Sequence, residues 1–303
     1  MSALVASAPQ RREVAVEGVP MSVLISTVPR PRAVLLCLGG GAASTAYWDC
    51  PGHPHLSLLR TGAALGFTVV ALDRPGYGSS APFAAQIEAA ERRTALTFAV
   101  VDAVNATGAP VLAVAHSLGC ELGLRLAAAP RGRDFLGLAL AGTGLRYHPR
   151  AQERMAELVQ ARSEGQARPA GMRDMVWGRV ELYPPGVTSC EALSLPSPRY
   201  EGRLVATWAS GDFAGLAGRV RVPVHLALGE HESVWTPGWA ALCECAALFT
   251  AASRVVTHIQ PGGGHNLSVG LAAAAYHLHL LAFAEECLAA RAAAGGSEGS
   301  EDR

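Results

Sequence analysis

Five short apolar runs, separated by segments long enough for helices, constrain the fold of this chain more than any other feature. The runs are residues 33–38, 67–72, 111–115, 135–141 and 222–228. Near-continuous hydrophobicity of this length is typical of strands that are buried on both faces of a parallel sheet. Strands that alternate with helices predict a doubly wound α/β sheet, whose ligands bind beyond the carboxyl ends of the strands.

Two further patterns extend the predicted sheet. Residues 13–19 and 21–27 alternate apolar and polar side chains around Gly18 and Pro20, which predicts an antiparallel N-terminal hairpin. Residues 254–259 form one more strand-like run. Helix-length segments lie at 55–65, 91–105, 118–129, 239–251 and 267–294. The predicted fold class is therefore α/β, with a mostly parallel central sheet and helices on both of its faces.

The interval 145–219 breaks the alternation of strands and helices. It holds no buried-strand run and is richer in Arg, Pro, Met and Trp than its surroundings. Because its 75 residues are far too many for an ordinary loop, we expect an inserted helical cap over the carboxyl edge of the sheet. Residues 1–144 and 220–294 then form the core, and the polar, Gly/Ser-rich residues 295–303 are predicted to be a disordered tail.

Charge and composition exclude several functional classes. The 25 acidic and 25 basic residues cancel to a net charge of +0, so no basic surface is predicted for a nucleic-acid backbone. Every basic residue is arginine, which removes mechanisms that need a lysine. The longest apolar stretch, residues 271–284, is too short to span a bilayer.

Location is predicted from the cysteines and the N-terminus. The seven cysteines show no paired spacing and are interpreted as reduced thiols. The first residues lack the basic and apolar regions of a secretory signal. We therefore expect a cytoplasmic protein.

The segment that carries chemistry runs from residue 111 to residue 126, where a buried strand, a tight turn and an amphipathic helix follow one another. Ser117 stands at the turn, within Ala-His-Ser-Leu-Gly. A strand-to-helix turn of this kind lifts the serine hydroxyl out of the sheet, near the positive end of the helix, where it can attack a carbonyl carbon. The small residues Ala115 and Gly119 keep the flanking backbone from colliding. Ser117 is the predicted nucleophile.

Three further motifs resemble landmarks of the α/β-hydrolase superfamily, and the resemblance spans residue 33 to the last predicted helix. They are Leu-Gly-Gly-Gly at 38–41, Asp-Arg-Pro-Gly-Tyr-Gly-Ser at 73–79 and Gly-Glu-His-Glu at 229–232. The resemblance implies an oxyanion-hole loop at the first motif, a structural turn at the second and an acid at the third. Two departures from the family pattern stand out: Ala115 replaces the first glycine of Gly-x-Ser-x-Gly, and leucine or glycine replaces a histidine often found before the oxyanion loop.

The same resemblance points to the partners of the serine. His265 follows the last predicted strand on a glycine-rich loop, where the superfamily keeps its general base. Glu232, the fourth residue of its motif, is the expected acid, with Glu230 as the alternative. The order Ser117, Glu232, His265 is that of the superfamily. A serine at this position argues against the epoxide-hydrolase and haloalkane-dehalogenase branches, which use an aspartate there.

An acyl-transfer site also needs hydrogen-bond donors for the oxyanion and walls for the substrate. The backbone N–H groups of Leu118 and of Gly40 or Gly41 are the expected donors. Five rings near the expected pocket are candidate walls, with ordinary core packing as the alternative: His116, Tyr47, Trp48, Trp177 and Trp235.

No metal or cofactor is predicted. His53 and His55 form a His-x-His pair without a third ligand, and His277 and His279 face different sides of a helix.

The predicted function is a serine hydrolase that cleaves a carboxylic ester or thioester through an acyl-enzyme. The substrate would be a small-molecule or carrier-bound acyl compound. Two alternatives stay open: a cyclase or acyltransferase, in which a nucleophile other than water resolves the acyl-enzyme, and a non-catalytic member of the fold that holds a ligand.

Overall fold

A single eight-stranded sheet organises the part of the chain that the structure, a computed structural model, describes, namely residues 8–166 and 171–298. The spatial order is β1-β2-β4-β3-β5-β6-β7-β8. Strand β2 pairs antiparallel with β1 and β4, and all other neighbours are parallel. The strands are β1 Gln10–Val16, β2 Val19–Ser26, β3 Val34–Leu38, β4 Thr68–Leu72, β5 Val111–His116, β6 Gly137–Ala141, β7 Val224–His231 and β8 Val255–Gly264. The predicted fold class is confirmed.

Helices cover both faces of the sheet and bury two hydrophobic cores. Helices α1 and α9 pack on one face, and α2, α3, α7 and α8 pack on the other. The bounds are α1 Leu58–Ala64, α2 Ala90–Val104, α3 Gly119–Ala128, α4 Pro149–Ser163, α5 Met172–Trp177, α6 Glu201–Thr207, α7 Asp212–Ala217, α8 Trp239–Ala246 and α9 Ala273–Glu298.

The central strands explain why the candidate site residues meet at one edge of the sheet. Every residue of β3, β4, β5 and β6 is buried, as expected for strands covered on both faces. Because these strands are parallel, their carboxyl ends meet at one edge. The three candidate residues Ser117, Glu232 and His265 directly follow β5, β7 and β8, so the fold itself gathers them.

Three predicted boundaries were wrong. The hairpin turns at Glu17 and Gly18, and Pro20 lies inside β2, where its missing N–H is harmless because β2 pairs with β4 only from Val23 onward. The last helix starts at Ala273 and continues to Glu298. Residues 295–298, predicted to belong to a disordered tail, form the last turn of α9. Residues 299–303 lie outside the described part.

The interval 145–219 contains α4, α5, α6 and α7 together with short 3₁₀ turns. In its described residues, which exclude 167–170, no strand is formed. The division of the chain into a core and a cap stays a prediction.

Two expectations about cysteines and membranes can be compared with the fold. All seven cysteines are free thiols, and five of them are buried. Within residues 8–166 and 171–298, none of the helices combines the length and the apolar character that a membrane crossing needs.

His277 in α9 makes the stability of the fold depend on pH. Its side chain is buried, and neither ring nitrogen has a hydrogen-bond partner in the described residues. Burial lowers the pKa of His277 to about 3, so the folded protein holds a neutral ring. At pH values below the ordinary histidine pKa of about 6.5, His277 binds a proton in the unfolded chain but not in the folded protein. The free energy of unfolding therefore decreases as the pH is lowered.

We therefore expect His277→Leu to flatten the dependence of stability on pH. Between pH 7 and pH 5 the wild type should lose about 2 kcal/mol of unfolding free energy through this residue alone, and the variant should not. Urea titrations at both pH values measure the difference. The exposed His55→Gln serves as the control and should behave as the wild type does. An equal loss in His277→Leu and wild type would contradict the prediction.

Candidate active site

The turn between β5 and α3 holds Ser117 in a left-handed backbone conformation, with φ at 52°. Its N–H donates to the carbonyl oxygen of Ala141 at 2.8 Å, which ties the turn to the neighbouring strand. At Gly119 an added Cβ would stand 2.5 Å from the carbonyl oxygens of both Leu38 and Gly39. Since these are backbone atoms that cannot move aside, the predicted requirement for glycine here has a steric cause.

Ala115, which replaces the glycine of the family pattern, packs into a space that Gly123 leaves open. A Cβ added to Gly123, on the next turn of α3, would lie 2.9 Å from the Cβ of Ala115. The single methyl group of Ala115 therefore fits because α3 presents a glycine to it. A larger side chain at either position would push the helix off the strand.

Ser117, His265 and Glu232 form one hydrogen-bonded chain. The Nδ1 of His265 lies 2.8 Å from Oε1 of Glu232, and its Nε2 lies 3.1 Å from Oγ of Ser117. A carboxylate can only accept, so Nδ1 carries the proton and Nε2 is left to accept the serine hydroxyl. His265 and Glu232 are both buried, which keeps water from competing for these bonds.

Glu232 is held as a charged carboxylate. Burial alone would raise its pKa, but the imidazole of His265 and the backbone N–H groups of Val234 and Trp235 together lower the pKa below its usual value. The two N–H groups donate to Oε1 at 2.8 and 3.3 Å. An ionised carboxylate is the form that fixes the histidine tautomer.

Glu230, the alternative acid, lies elsewhere. Its side chain is exposed, and its carboxylate accepts a hydrogen bond from the backbone N–H of Gly262 at 2.9 Å. Its carboxylate lies 3.8 Å from Nε2 of His231. Glu232 therefore contacts His265, whereas Glu230 links the end of β7 to Gly262 at the surface.

His116, next to the nucleophile, supports the loop of the candidate base. Its Nε2 donates to the carbonyl oxygen of His265 at 2.8 Å, and its ring stacks on Tyr47 with centroids 4.7 Å apart. Burial and the neighbouring His265 hold the pKa of His116 well below the usual range, so the ring is neutral. The sequence predicted a wall residue, and this hydrogen bond adds a structural task that the sequence did not indicate.

The loop of residues 39–41 after β3, here called the glycine loop, lies directly against the β5–α3 turn that carries Ser117, here called the elbow. A Cβ on Gly40 would stand 3.0 Å from Cβ of Ser117 and 3.2 Å from Nδ1 of His116, and one on Gly41 would stand 2.8 Å from Cδ1 of Leu118. In the described residues, neither the N–H of Leu118 nor that of Gly41 donates a hydrogen bond. Both N–H groups are therefore available to donate to a molecule bound beside Ser117.

Arg74, from the Asp-Arg-Pro-Gly turn, anchors this loop. Its guanidinium donates to the carbonyl oxygen of Gly40 at 2.8 Å, while the hydroxyl of Tyr77 accepts the N–H of Ala42 at 2.9 Å. The Gly40 carbonyl and the Gly41 N–H belong to one planar trans peptide and point in opposite directions. Fixing the carbonyl on Arg74 therefore fixes the direction of the Gly41 N–H.

Sequence reasoning treated that turn as structural and missed both Arg74 and its partner. Arg74 forms a buried ion pair with Glu201, the first residue of α6. Glu201 sits in no recognisable motif, and its pairing with a residue 127 positions away leaves no local signal in the sequence.

A cleft opens above Ser117 between the glycine loop and α4, α5 and α6. The space between its atoms amounts to about 690 Å³, part of it open to solvent. Its walls are mainly apolar. Trp235 was predicted to be one of them, whereas five others were not: Tyr147, Met155, Val176, Val205 and Val234.

The five rings predicted as pocket walls have different positions. His116 and Trp235 line the cleft, and Tyr47 and Trp177 line an adjoining groove on the far side of the glycine loop. The prediction that Trp48 lines the pocket is wrong. Its side chain is fully buried in the core and packs edge-on against Tyr47. The two residues are neighbours in one 3₁₀ turn, so their side chains point in different directions.

Within the described part of the chain, no three histidine, cysteine or acidic side chains are arranged to hold a metal ion. The rings of His53 and His55 lie 6.0 Å apart. His277 is buried and His279 is exposed, so the two do face different sides of α9.

Comparison with known proteins gives a family match. A model described as "Alpha/beta hydrolase family" matches residues 34–277, about four fifths of the chain. No curated protein matches the sequence.

Several solved structures share the fold at low sequence identity. A soluble variant of monoglyceride lipase from Saccharomyces cerevisiae has a TM-score of 0.69 at 12% identity, covering 93% of this chain and 96% of its own. The enol-lactonase from Burkholderia xenovorans LB400 has a TM-score of 0.64 at 19% identity, with 90% and 99% covered. A thioesterase domain from the curacin biosynthetic pathway has a TM-score of 0.61 at 18% identity, with 90% and 100% covered.

The tight fit of the glycine loop predicts that Gly40→Ala will slow reactions at Ser117. The new methyl would push the loop away from the elbow, and we expect a loss of about 100-fold in rate, the order that one oxyanion donor is worth. Stopped-flow labelling with a fluorophosphonate measures it. Gly215→Ala in α7, where an added Cβ meets nothing within 4 Å, is the matched control. An unchanged rate in Gly40→Ala would rule out this role of the loop.

Proposed function

This chain belongs to the alpha/beta hydrolase family, and on that basis we propose that it is a serine hydrolase that cleaves a carboxylic ester or thioester through an acyl-enzyme. The observation that carries the proposal is the hydrogen-bonded chain from Glu232 through His265 to Ser117, with the serine at the floor of a cleft. Such an arrangement is suited to acyl transfer.

In the proposed first half-reaction, His265 takes the proton of Ser117 as Oγ bonds to the substrate carbonyl carbon. The negative charge that develops on the carbonyl oxygen is stabilised by the N–H groups of Leu118 and of Gly40 or Gly41. The C–O or C–S bond then breaks, and His265 returns the proton to the leaving alcohol or thiol. Ser117 is left as an acyl ester.

In the second half-reaction, water replaces the leaving group. His265 removes a proton from water, the oxygen attacks the acyl carbon, and the proton passes to Ser117 as the free acid departs. Glu232 stays ionised throughout and stabilises the imidazolium that forms twice in each cycle. Its lowered pKa supports this assignment.

Support for ester or thioester substrates comes from the cleft and from the neighbours. The apolar walls suit an acyl chain, and residues of α4, α5 and α6 supply several of them. We accordingly propose that the interval 145–219 acts as a cap that selects the substrate, whether a small molecule or a carrier-bound acyl group. The fold neighbours named above are a lipase, a lactonase and a thioesterase, which agrees with acyl chemistry.

Intact-mass analysis after treatment with a fluorophosphonate tests the proposal. We expect one adduct on the wild type, none on Ser117→Ala and slow formation on His265→Ala. A wild-type protein that is folded by circular dichroism but forms no adduct would overturn it. Product analysis then identifies the acyl acceptor: a free acid means hydrolysis, and a cyclic or transferred product means that another nucleophile resolves the acyl-enzyme.

The two neighbouring glutamates provide a matched pair of variants. We expect Glu232→Gln to lower kcat by roughly 10³- to 10⁴-fold, because the amide no longer fixes the tautomer or stabilises the imidazolium. Glu230→Gln, an exposed change two residues away, should alter kcat by no more than about twofold. Steady-state hydrolysis of p-nitrophenyl acetate measures both. Equal losses in the two variants would mean that Glu232 is not the acid.

A further inference from the structure

A buried carboxylate stands in the cleft beside the proposed oxyanion loop. Glu201 is only 1% exposed, and it lines the same cleft as Ser117 and Gly41. A Cβ added to Gly41 would lie 3.5 Å from its Oε2, so this oxygen faces the loop where the reacting carbonyl would bind. The mechanism above does not use Glu201.

The two oxygens of Glu201 differ sharply in their contacts. Oε1 pairs with the guanidinium of Arg74, which is itself buried. Oε2 has no hydrogen-bond partner in the described residues. The hydroxyl of Tyr77 accepts the N–H of Ala42 at 2.9 Å, and its one proton can turn either to Oγ of Ser197, 3.4 Å away, or to the carboxylate of Glu201. A carboxylate oxygen has two lone pairs, so Oε2 can accept a hydrogen bond from a bound molecule even when Tyr77 turns toward it. Its place in the wall of the cleft makes it accessible to such a molecule.

The chemistry of that donor follows from charge and burial. Arg74 already neutralises Glu201, so a substrate ammonium would leave an uncompensated positive charge in a buried site. A hydroxyl group keeps the site neutral and satisfies Oε2. A purely apolar acyl group would leave the oxygen desolvated and unpaired, and sites built to bind a hydroxyl reject analogues that lack it.

We propose that Glu201 is a specificity-determining residue that accepts a hydrogen bond from a hydroxyl on C2 or C3 of the acyl group, making hydroxyacyl esters or thioesters the preferred substrates. Because Oε2 lies close to Gly41, the hydroxyl that reaches it is expected on one of the two carbons that follow the carbonyl carbon. The apolar walls supplied by Met155, Val205 and Trp235 receive the rest of the chain. This assignment rests on the proposed acyl-enzyme function.

The test compares three p-nitrophenyl esters on the wild type. The 3-hydroxybutanoate ester carries the donor, the 3-methylbutanoate ester has the same shape without it, and the 3-methoxybutanoate ester has an acceptor only. We expect kcat/KM for the hydroxy ester to exceed the other two by about tenfold or more. The matching 2-substituted propanoates are tested beside them, because the proposal covers a hydroxyl on either C2 or C3.

Glu201→Gln provides the decisive variant. Its amide presents a donor where Oε2 stood, and a donor serves a hydroxyl and a methoxy oxygen alike. The hydroxy-to-methoxy ratio should therefore fall to about one, whatever happens to overall activity. Glu121→Gln is the matched control, since Glu121 is another buried glutamate that is paired with arginine and has an unpartnered Oε2, yet it lies outside the cleft. The control should keep the wild-type ratio.

Binding to Ser117→Ala, measured by titration calorimetry with the same esters, separates the two proposals and does not depend on how Glu201→Gln folds. Tighter binding of a hydroxy ester without any turnover by the wild type would retain the role of Glu201 and remove the hydrolase function. Turnover with no preference for either hydroxy ester in rate or binding would overturn the role of Glu201 alone. A 3-amino ester favoured over the 3-hydroxy ester would overturn the choice of a neutral donor.

Discussion

The close approach of two backbones at the end of β5 is the contact on which the rest of the site depends. At Gly119 there is room for a hydrogen atom and nothing larger, because the carbonyls of Leu38 and Gly39 lie against it. That contact brings the glycine loop against Ser117 and Leu118. The left-handed conformation of Ser117 is held from the other side by β6, through its bond to Ala141. The parallel sheet supplies the rigid frame in which such a strained turn can persist.

Arg74 extends this arrangement from the sheet to the helices above it. One guanidinium touches the glycine loop through Gly40 and α6 through Glu201, so the direction of the Gly41 N–H and the position of a cleft wall share a single support. Breaking a buried ion pair of this kind typically costs about 3–5 kcal/mol, because the remaining charge is left uncompensated. Substitution of Arg74 would consequently disturb stability, the proposed oxyanion site and the proposed substrate contact together.

Much of the fold and the candidate site could be predicted from the sequence, because each depends on local patterns. Continuous apolar runs identify strands buried on both faces, and a serine between such a strand and a helix identifies the elbow. Glu232 and His265 each follow a strand end within a short motif, so the topology alone gathers them at Ser117. Arg74 and Glu201 could not be paired in advance, because their contact joins segments 127 residues apart and no spacing rule encodes it. The ends of the helices and the walls of the cleft could not be predicted for the same reason, because tertiary packing determines them.

The stacked, neutral imidazole of His116 has a consequence for proton traffic at this site. Its ring centroid lies 4.9 Å from that of His265, and burial together with that neighbour holds its pKa well below the ordinary histidine value. Its Nε2 is already committed to the carbonyl of His265. In the proposed reaction, only His265, and not His116, is therefore available to accept the proton from Ser117. In that reaction His265 would be the base, and His116 would hold its loop in place as a neutral ring. The proton would then stay on the imidazole that can pass it to the leaving group.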